Sequence, residues 1–259
     1  MTVYFIGAGP GAADLITVRG DRILRRCPVC LYAGSIMPPD LLALCPPGAK
    51  VVDTGPLTLD QIVGELTGAD AAGLDVARLH SGDPSLYSAV AEQCRRLDAL
   101  GIDYEIVPGV PAFAAAAAAL RRELTVPGVS QTVTLTRVST LSTAMPGGED
   151  LARLAEPGAT LVLHLAAHRI DAVVPELLRG GYRPETPAAV VAFASWPTET
   201  VVRGTLADVA QQAREASITR AAGVIVGEVR AAGGFADSYL YSVGRRSILG
   251  ESGGHRSGQ

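Results

Sequence analysis

Lysine is almost missing from this chain. Of its 22 basic residues, 21 are arginine and one is lysine, Lys50. Against 26 acidic residues the net charge is −4, so there is no basic surplus for coating a nucleic acid. The arginine bias has two readings. One is the composition of a G+C-rich genome, which also uses alanine heavily; the other is a pocket lined for carboxylates or phosphates. Cysteine is scarce too, four in 259 residues, which excludes a disulfide-built scaffold. Cys27 and Cys30 form a C-x-x-C, but no second pair or spaced histidines complete a zinc set. A strand over 29–32 would turn those thiols away from any helix N-terminus, so their expected role is structural. Aromatic residues make up 5%, with one tryptophan, Trp196. Long apolar runs are lacking: 112–120 is too short to span a bilayer. The opening MTVYFIGAG has no basic segment ahead of it and reads as a strand, so a soluble, cytoplasmic protein is expected.

What is present is apolar material in regular blocks. Hydrophobic residues make up 48% and charged residues 19%, which excludes a disordered chain and suggests one large domain or two modest ones. Short apolar runs predict strands over 3–6, where the run ends in Gly7, and over 29–32, 75–79 and 104–107. Helical spacing predicts helices over 14–26, 59–66 (Asp60 as cap) and 87–100. Six alanines, 114–119, build a small-residue helix that can pack closely. The pattern changes near 121–128. Beyond it, 133–137 is extended, strands are expected over 161–165, 190–194 and 224–229, and helices over 169–179 and 205–215. Strands alternate with helices in both halves, so each half reads as α/β. The expected organisation is an N-terminal α/β domain over 1–120, a C-terminal one over 121–245 and a disordered tail over 246–259.

Three loops carry the chemistry. Gly7-Ala8-Gly9-Pro10-Gly11-Ala12 satisfies G-x-G-x-x-G/A after a strand and before a helix. Two features disfavour a dinucleotide. Pro10 removes an N–H from the cradle, and the second strand ends Leu31-Tyr32-Ala33-Gly34 with no acid for a ribose. Ser81-Gly82-Asp83-Pro84-Ser85-Leu86-Tyr87 follows another strand, where open α/β sheets bind ligands. There Asp83 either accepts from ligand hydroxyls or an amine, or shares with Ser85 the task of capping the next helix. Val107-Pro108-Gly109-Val110-Pro111-Ala112 is the third, by itself an ordinary proline turn. His80, Tyr87 and Glu105 stand near strand ends, where a structural role is the first reading.

The order and spacing of these loops within 110 residues resembles the tetrapyrrole (corrin/porphyrin) methylases. The similarity runs from Thr2 to about Ser242. It takes in Leu15-Ile16-Thr17-Val18-Arg19-Gly20, Thr160-Leu161-Val162-Leu163-His164-Leu165, Gly204-Thr205-Leu206 and Val226-Gly227-Glu228-Val229. Residues 31–35, 124–127, 131–137 and 165–170 resemble the branch that methylates a corrin precursor on the way to cobalamin.

The resemblance implies two α/β domains with S-adenosylmethionine in the cleft between them, S-adenosylhomocysteine as product, and a homodimer. By positional match, Pro10, Ser81, Gly82, Asp83, Leu86, Tyr87, Val110, Pro111, Ala112, Leu165, Ala194 and Ala222 are the expected cofactor contacts. For Leu165, Ala194 and Ala222, plain core packing is the competing reading. Methyl transfer from a sulfonium to an already nucleophilic carbon mainly needs alignment and exclusion of water. No metal, covalent nucleophile or general base is therefore assigned. The substrate's acetate and propionate groups suit arginine. Arg19 and Arg137 are the expected carboxylate contacts, with Ser35, Trp196 and Glu199 as further cleft candidates. Arg121 and Arg122 border the interdomain region, where a solvated or dimer-facing role competes. The alternatives are another ring position such as C2 and C7 of uroporphyrinogen III, a macromolecular substrate, a nicotinamide-dependent oxidoreductase, or a non-enzymatic sensor of the cofactor. The acidic balance argues against RNA, and nothing in the sequence indicates a membrane.

Overall fold

A computed structural model describes residues 1–139, 144–235 and 238. The tail expected over 246–259 lies outside the described residues. Ten strands form two five-stranded sheets. The first contains β1 (Val3–Gly7), β2 (Val29–Tyr32), β3 (Lys50–Asp53), β4 (Val76–His80) and β5 (Tyr104–Val107), all parallel, in the order β3-β2-β4-β1-β5. Its helices are α1 (Val18–Leu24), α2 (Pro39–Leu42), α3 (Leu59–Ala71) and α4 (Val90–Leu100). Alternate strand residues face opposite layers. Tyr4, Ile6, Cys30, Ala77 and Leu79 meet Ile23, Leu24 and Leu41 of α1 and α2. Val3, Phe5, Val29, Leu31 and Val76 meet Ile62, Leu66, Val90 and Leu97 of α3 and α4. With both faces covered, the strands read as continuous apolar runs.

After α5 (Ala112–Leu120) comes the second sheet: β6 (Val133–Arg137), β7 (Thr160–His164), β8 (Pro187–Ala192), β9 (Thr200–Thr205) and β10 (Ala222–Val226). Its order is β6-β7-β10-β8-β9, with β6 and β7 parallel and every other pairing antiparallel. The helices α6 (Leu151–Leu154), α7 (Ile170–Arg179) and α8 (Val209–Glu215) lie in this half. One face packs on them through Leu161, Leu163, Val190, Val224 and Val226. The other face receives α5: Ala115, Ala116 and Leu120 pack on Val162, Ala189, Val191 and Ile225. Methyl side chains let that helix lie close, so the alanine run belongs to the joint between the two sheets.

Several details differ from the sequence reading. The strands expected over 190–194 and 224–229 run Pro187–Ala192 and Ala222–Val226, and the helix expected over 14–26 is confined to Val18–Leu24 after a 3₁₀ turn at Ala13–Leu15. Strands β3 and β9 were not expected, and β9 occupies the start of the helix predicted over 205–215. The Asp208 carboxylate accepts from the Thr205 N–H at 2.7 Å, and α8 begins only at Val209. Thr58, not Asp60, caps α3. Its hydroxyl accepts from the Gln61 N–H while the Gln61 side chain accepts from the Thr58 N–H, a reciprocal capping box. The helix predicted from 87 starts at Val90, because Tyr87 and Ala89 stand at φ +54° and +49°.

Candidate active site

The site begins where three loops touch at the carboxyl ends of β1, β4 and β5. The Ala8 N–H donates to His80 O at 2.8 Å, and Gly9 and Gly82 exchange backbone hydrogen bonds at 3.2 and 2.8 Å. A Cβ on Gly7 would stand 2.4 Å from Gly109 Cα, and one on Gly109 would stand 2.2 Å from Gly82 O. Glycine is required here because backbone meets backbone.

Asp83 locks the arrangement. Its Oδ2 accepts from the Gly109 N–H at 2.7 Å, and its Oδ1 accepts from the Ser85 N–H at 2.9 Å and from the Ser85 hydroxyl. Burial pushes this carboxyl up. The bonds from the Ser85 hydroxyl, the Gly109 amide and the Ser85 amide outweigh it and hold the group below its ordinary value. Neither Asp83 nor Ser85 caps α4, whose N-cap position is Ala89. The carboxylate expected to face a ligand is engaged in joining two loops.

The second half docks on the glycine turn. The Trp196 indole N–H donates to Pro10 O at 3.0 Å, and the Ala12 N–H donates to Ser195 Oγ at 3.0 Å. A Cβ on Gly11 would fall 2.1 Å from Trp196 Cδ1, so Gly11 makes room for the indole. Glu199 accepts from the Ser195 N–H at 2.8 Å and braces this turn.

Between the halves lies a cavity of about 310 Å³, within the range of small-molecule sites. Pro10, Ser81, Gly82, Asp83, Leu86 and Tyr87 line it from the first two loops, and Pro111 and Ala112 from the third. Leu165, Ala194 and Ala222 line it from the second half. Eleven of the twelve expected cofactor contacts are thereby brought together; Val110 is not in the wall. Of the five expected substrate contacts, Trp196 is in the wall. Arg19 is exposed, 3.5 Å from Glu105 in an ion pair outside the cavity. Glu199 serves as a brace and does not line it. The backbone of Ser35 sits in a short 3₁₀ turn between the wall residues Ala33 and Ile36. That turn is tied down by Asp53, which accepts from the Gly34 and Gly55 N–H groups at 2.9 and 2.8 Å. Arg137 ends β6 in register with His164 of β7, donates to Val138 O and Ala144 O, and lines a neighbouring cavity. Arg122 donates to Ala232 O at 3.2 Å, away from the cavity wall.

Several wall residues escaped the sequence reading: Phe113, His164, Phe193, Ala221 and Gly223. Their common signal is position one or two residues from a recognised contact or strand end. His80, read as structural, is 7% exposed and also lines the cavity. Burial, then the Arg78 charge, push its pKa down to about 3 against a hydrogen bond to the Ser88 backbone. His164 is pushed down by burial. Backbone strain gathers here as well: of eight non-glycine residues with left-handed φ among the described residues, Tyr87, Leu165, Phe193 and Ala221 line the cavity. The C-x-x-C carries no such chemistry. Cys27 and Cys30 are buried free thiols, and burial pushes Cys27 up to about 12. Among the described residues no three His, Cys, Asp or Glu side chains converge as a metal site, and no helix is long and apolar enough to cross a membrane.

Comparison with known proteins adds an independent line. The family model for tetrapyrrole (corrin/porphyrin) methylases matches residues 2–210. The chain is 78% identical over 245 residues to the precorrin-4 C(11)-methyltransferase of Mycobacterium tuberculosis H37Rv, covering 95% of this chain and 98% of that one. Among solved structures it is similar to a cobalt precorrin-4 methyltransferase of cobalamin biosynthesis, with a TM-score of 0.85, 40% identity, and 88% and 95% of the two chains covered. It is also similar to the uroporphyrin-III C-methyltransferase of Thermus thermophilus in complex with S-adenosylhomocysteine, with a TM-score of 0.75, 32% identity, and 88% and 93% covered.

Proposed function

The chain belongs to the tetrapyrrole (corrin/porphyrin) methylase family, and from that premise we propose that it transfers the methyl group of S-adenosylmethionine to C11 of precorrin-4, giving precorrin-5 in cobalamin biosynthesis. The observation that carries this reading is the 78% identity spread over 95% of the chain. The relative at that identity is named for precorrin-4 and the structure at 40% for its cobalt form, which favours the metal-free substrate.

The cavity fits the cofactor by its chemistry. Apolar and aromatic walls from Phe113, Leu165, Phe193 and Ile225 suit an adenine ring and a thioether chain, and the small Ala194, Ala222 and Gly223 leave room for a flat group. Ser81 and Ser88 offer the few polar contacts such a site needs. S-adenosylmethionine supplies an electrophilic methyl. The chain's own residues hold the reactants in line and exclude water, an effect worth up to ~7–11 kcal/mol. We read the eleven wall residues as cofactor contacts and Asp83 as the group that fixes their loop. Arg137 at the neighbouring cavity is the remaining candidate for a substrate carboxylate. We read the molecule as two domains meeting after α5, and as a cytoplasmic homodimer.

Incubation with precorrin-4 and S-adenosylmethionine labelled in its methyl carbon tests the reading. NMR is expected to place the label at C11. A label at another ring carbon, or heat from NAD(H) but none from S-adenosylhomocysteine in a calorimeter, overturns it.

A further inference from the structure

His164 occupies an unusual position. It ends β7 in register with Arg137, and its ring lines the cavity. Its nearest ring neighbours are Tyr87 at 5.2 Å, tilted, and Phe113 at 6.3 Å, edge-on. Its Nε2 is buried and has no hydrogen-bond partner. Leaving a buried polar nitrogen unpaired costs about 1–3 kcal/mol, and each such group asks for an explanation. His80 Nε2 is unpaired as well and His80 also lines the cavity, but its ring packs on Phe5 and the Arg78 charge disfavours its taking a proton. His164 differs in its cover. Tyr87 is 44% exposed and stands at φ +54°, in the loop that Asp83 anchors. Tyr87 is thus a partly exposed loop side chain against the imidazole, outside any strand.

We propose that His164 is a catalytic residue of the methyl transfer: its Nε2 accepts the N–H proton of the pyrrole-type ring whose carbon is methylated. This rests on the methyltransferase reading given above. As the new C–C bond forms from the ring's π electrons, the C–S bond of the sulfonium breaks and its pair stays on sulfur. The ring is left as a cationic C=N–H. The nitrogen keeps the N–H pair, Nε2 takes the proton, and the imidazolium later releases it to water. A neutral imidazole is needed for this, and burial holds His164 in that form by lowering its pKa. Arg137 pairs in register with His164 and lines the neighbouring cavity, where it suits a carboxylate of the substrate.

The test uses the full chain with His164→Phe, which keeps a ring against Tyr87 and Phe113, and His164→Gln, which keeps an acceptor but takes no proton. Both are expected to bind S-adenosylhomocysteine within about 2-fold of wild type and to lose about 100-fold or more in kcat, the usual share of a general base. In His164→Gln the KM for precorrin-4 is expected to hold. A kcat within about 3-fold of wild type in either variant overturns the proposal. So does a kcat loss matched by an equal loss of S-adenosylhomocysteine affinity, which makes His164 a cofactor wall. If the wild-type chain neither binds S-adenosylhomocysteine nor methylates C11, the methyltransferase reading fails instead.

Discussion

At the scale of single residues, the site is a set of small commitments made by polar groups. Asp83 spends both oxygens on holding loops. Asp83→Ala removes the acceptor of the Gly109 amide, and a hydrogen bond to a charged group is worth about 1.5–3 kcal/mol. Calorimetry is expected to show S-adenosylhomocysteine bound at least ~10-fold more weakly, because the loop carries Ser81, Gly82, Leu86 and Tyr87 into the cavity. The pKa of Asp83 is depressed on folding, so its contribution to stability is full above the carboxyl's unfolded value of 3.8 and is lost as pH falls through the lower folded value. His80 works in a different window. Its pKa drops from 6.5 to about 3 on folding, so between those values the unfolded chain binds more protons and stability rises with pH. The melting temperature is expected to fall as pH is lowered from 6.5 toward 3, and His80→Gln to flatten that slope; an unchanged slope removes His80 as its source. None of this was legible from residue type. The sequence offered Asp83 as a ligand contact and His80 as a bystander, because neither partners nor burial can be read from a strand end.

At the scale of elements, glycine and alanine decide how closely things approach. Gly7, Gly82 and Gly109 come from three separate motifs, and each motif alone reads as an ordinary turn. Gly109→Ala places a Cβ 2.2 Å from a carbonyl oxygen and 2.6 Å from Gly7 Cα, both backbone atoms that cannot step aside. Its expected cost is at the upper end of the ~1–3 kcal/mol of overpacking, measured by chemical denaturation. Of the strands that the sequence reading found, β2, β5 and β6 have the boundaries expected. The two it missed, β3 and β9, are edge strands, but so are β5 and β6, which it found, so an edge position alone does not hide a strand. β3 is four residues long and mostly exposed, so it lacks the apolar run that marks a strand with both faces covered. Yet β3 carries Asp53, which ties down the 34–36 turn at the cavity rim. Helix α5 shows the reverse case: its alanines were legible as a close-packing surface, and their partner, the face of the second sheet, was not.

At the scale of the whole molecule, two unlike sheets are joined by α5 and by the Trp196 contact, and the cavity lies between them. Trp196 is the chain's one tryptophan, and its indole belongs both to the cavity wall and to the joint. Saturation with S-adenosylhomocysteine is expected to change the protein's intrinsic emission; an unchanged spectrum puts the ligand elsewhere. Trp196→Phe leaves Pro10 O without its donor and is expected to lower stability by about 1–3 kcal/mol. Family, fold class and about half of the cavity wall followed from the sequence by itself, since short motifs at fixed spacing and buried apolar strands are local signals. The roles of Trp196, Glu199 and Arg19 did not. A ring free to stack on a macrocycle, a carboxylate facing a cleft and an arginine reaching for acetate groups were all reasonable from type and position. The tertiary structure made the first a pin between halves, the second a brace for its turn and the third a surface ion pair. It also brought His164 against Tyr87. The Trp196 and His164 contacts join groups 77 to 186 residues apart and are fixed by packing one half against the other. The Arg19 pair is set by α1 lying beside β5, and only the Glu199 brace is local, four residues from its partner.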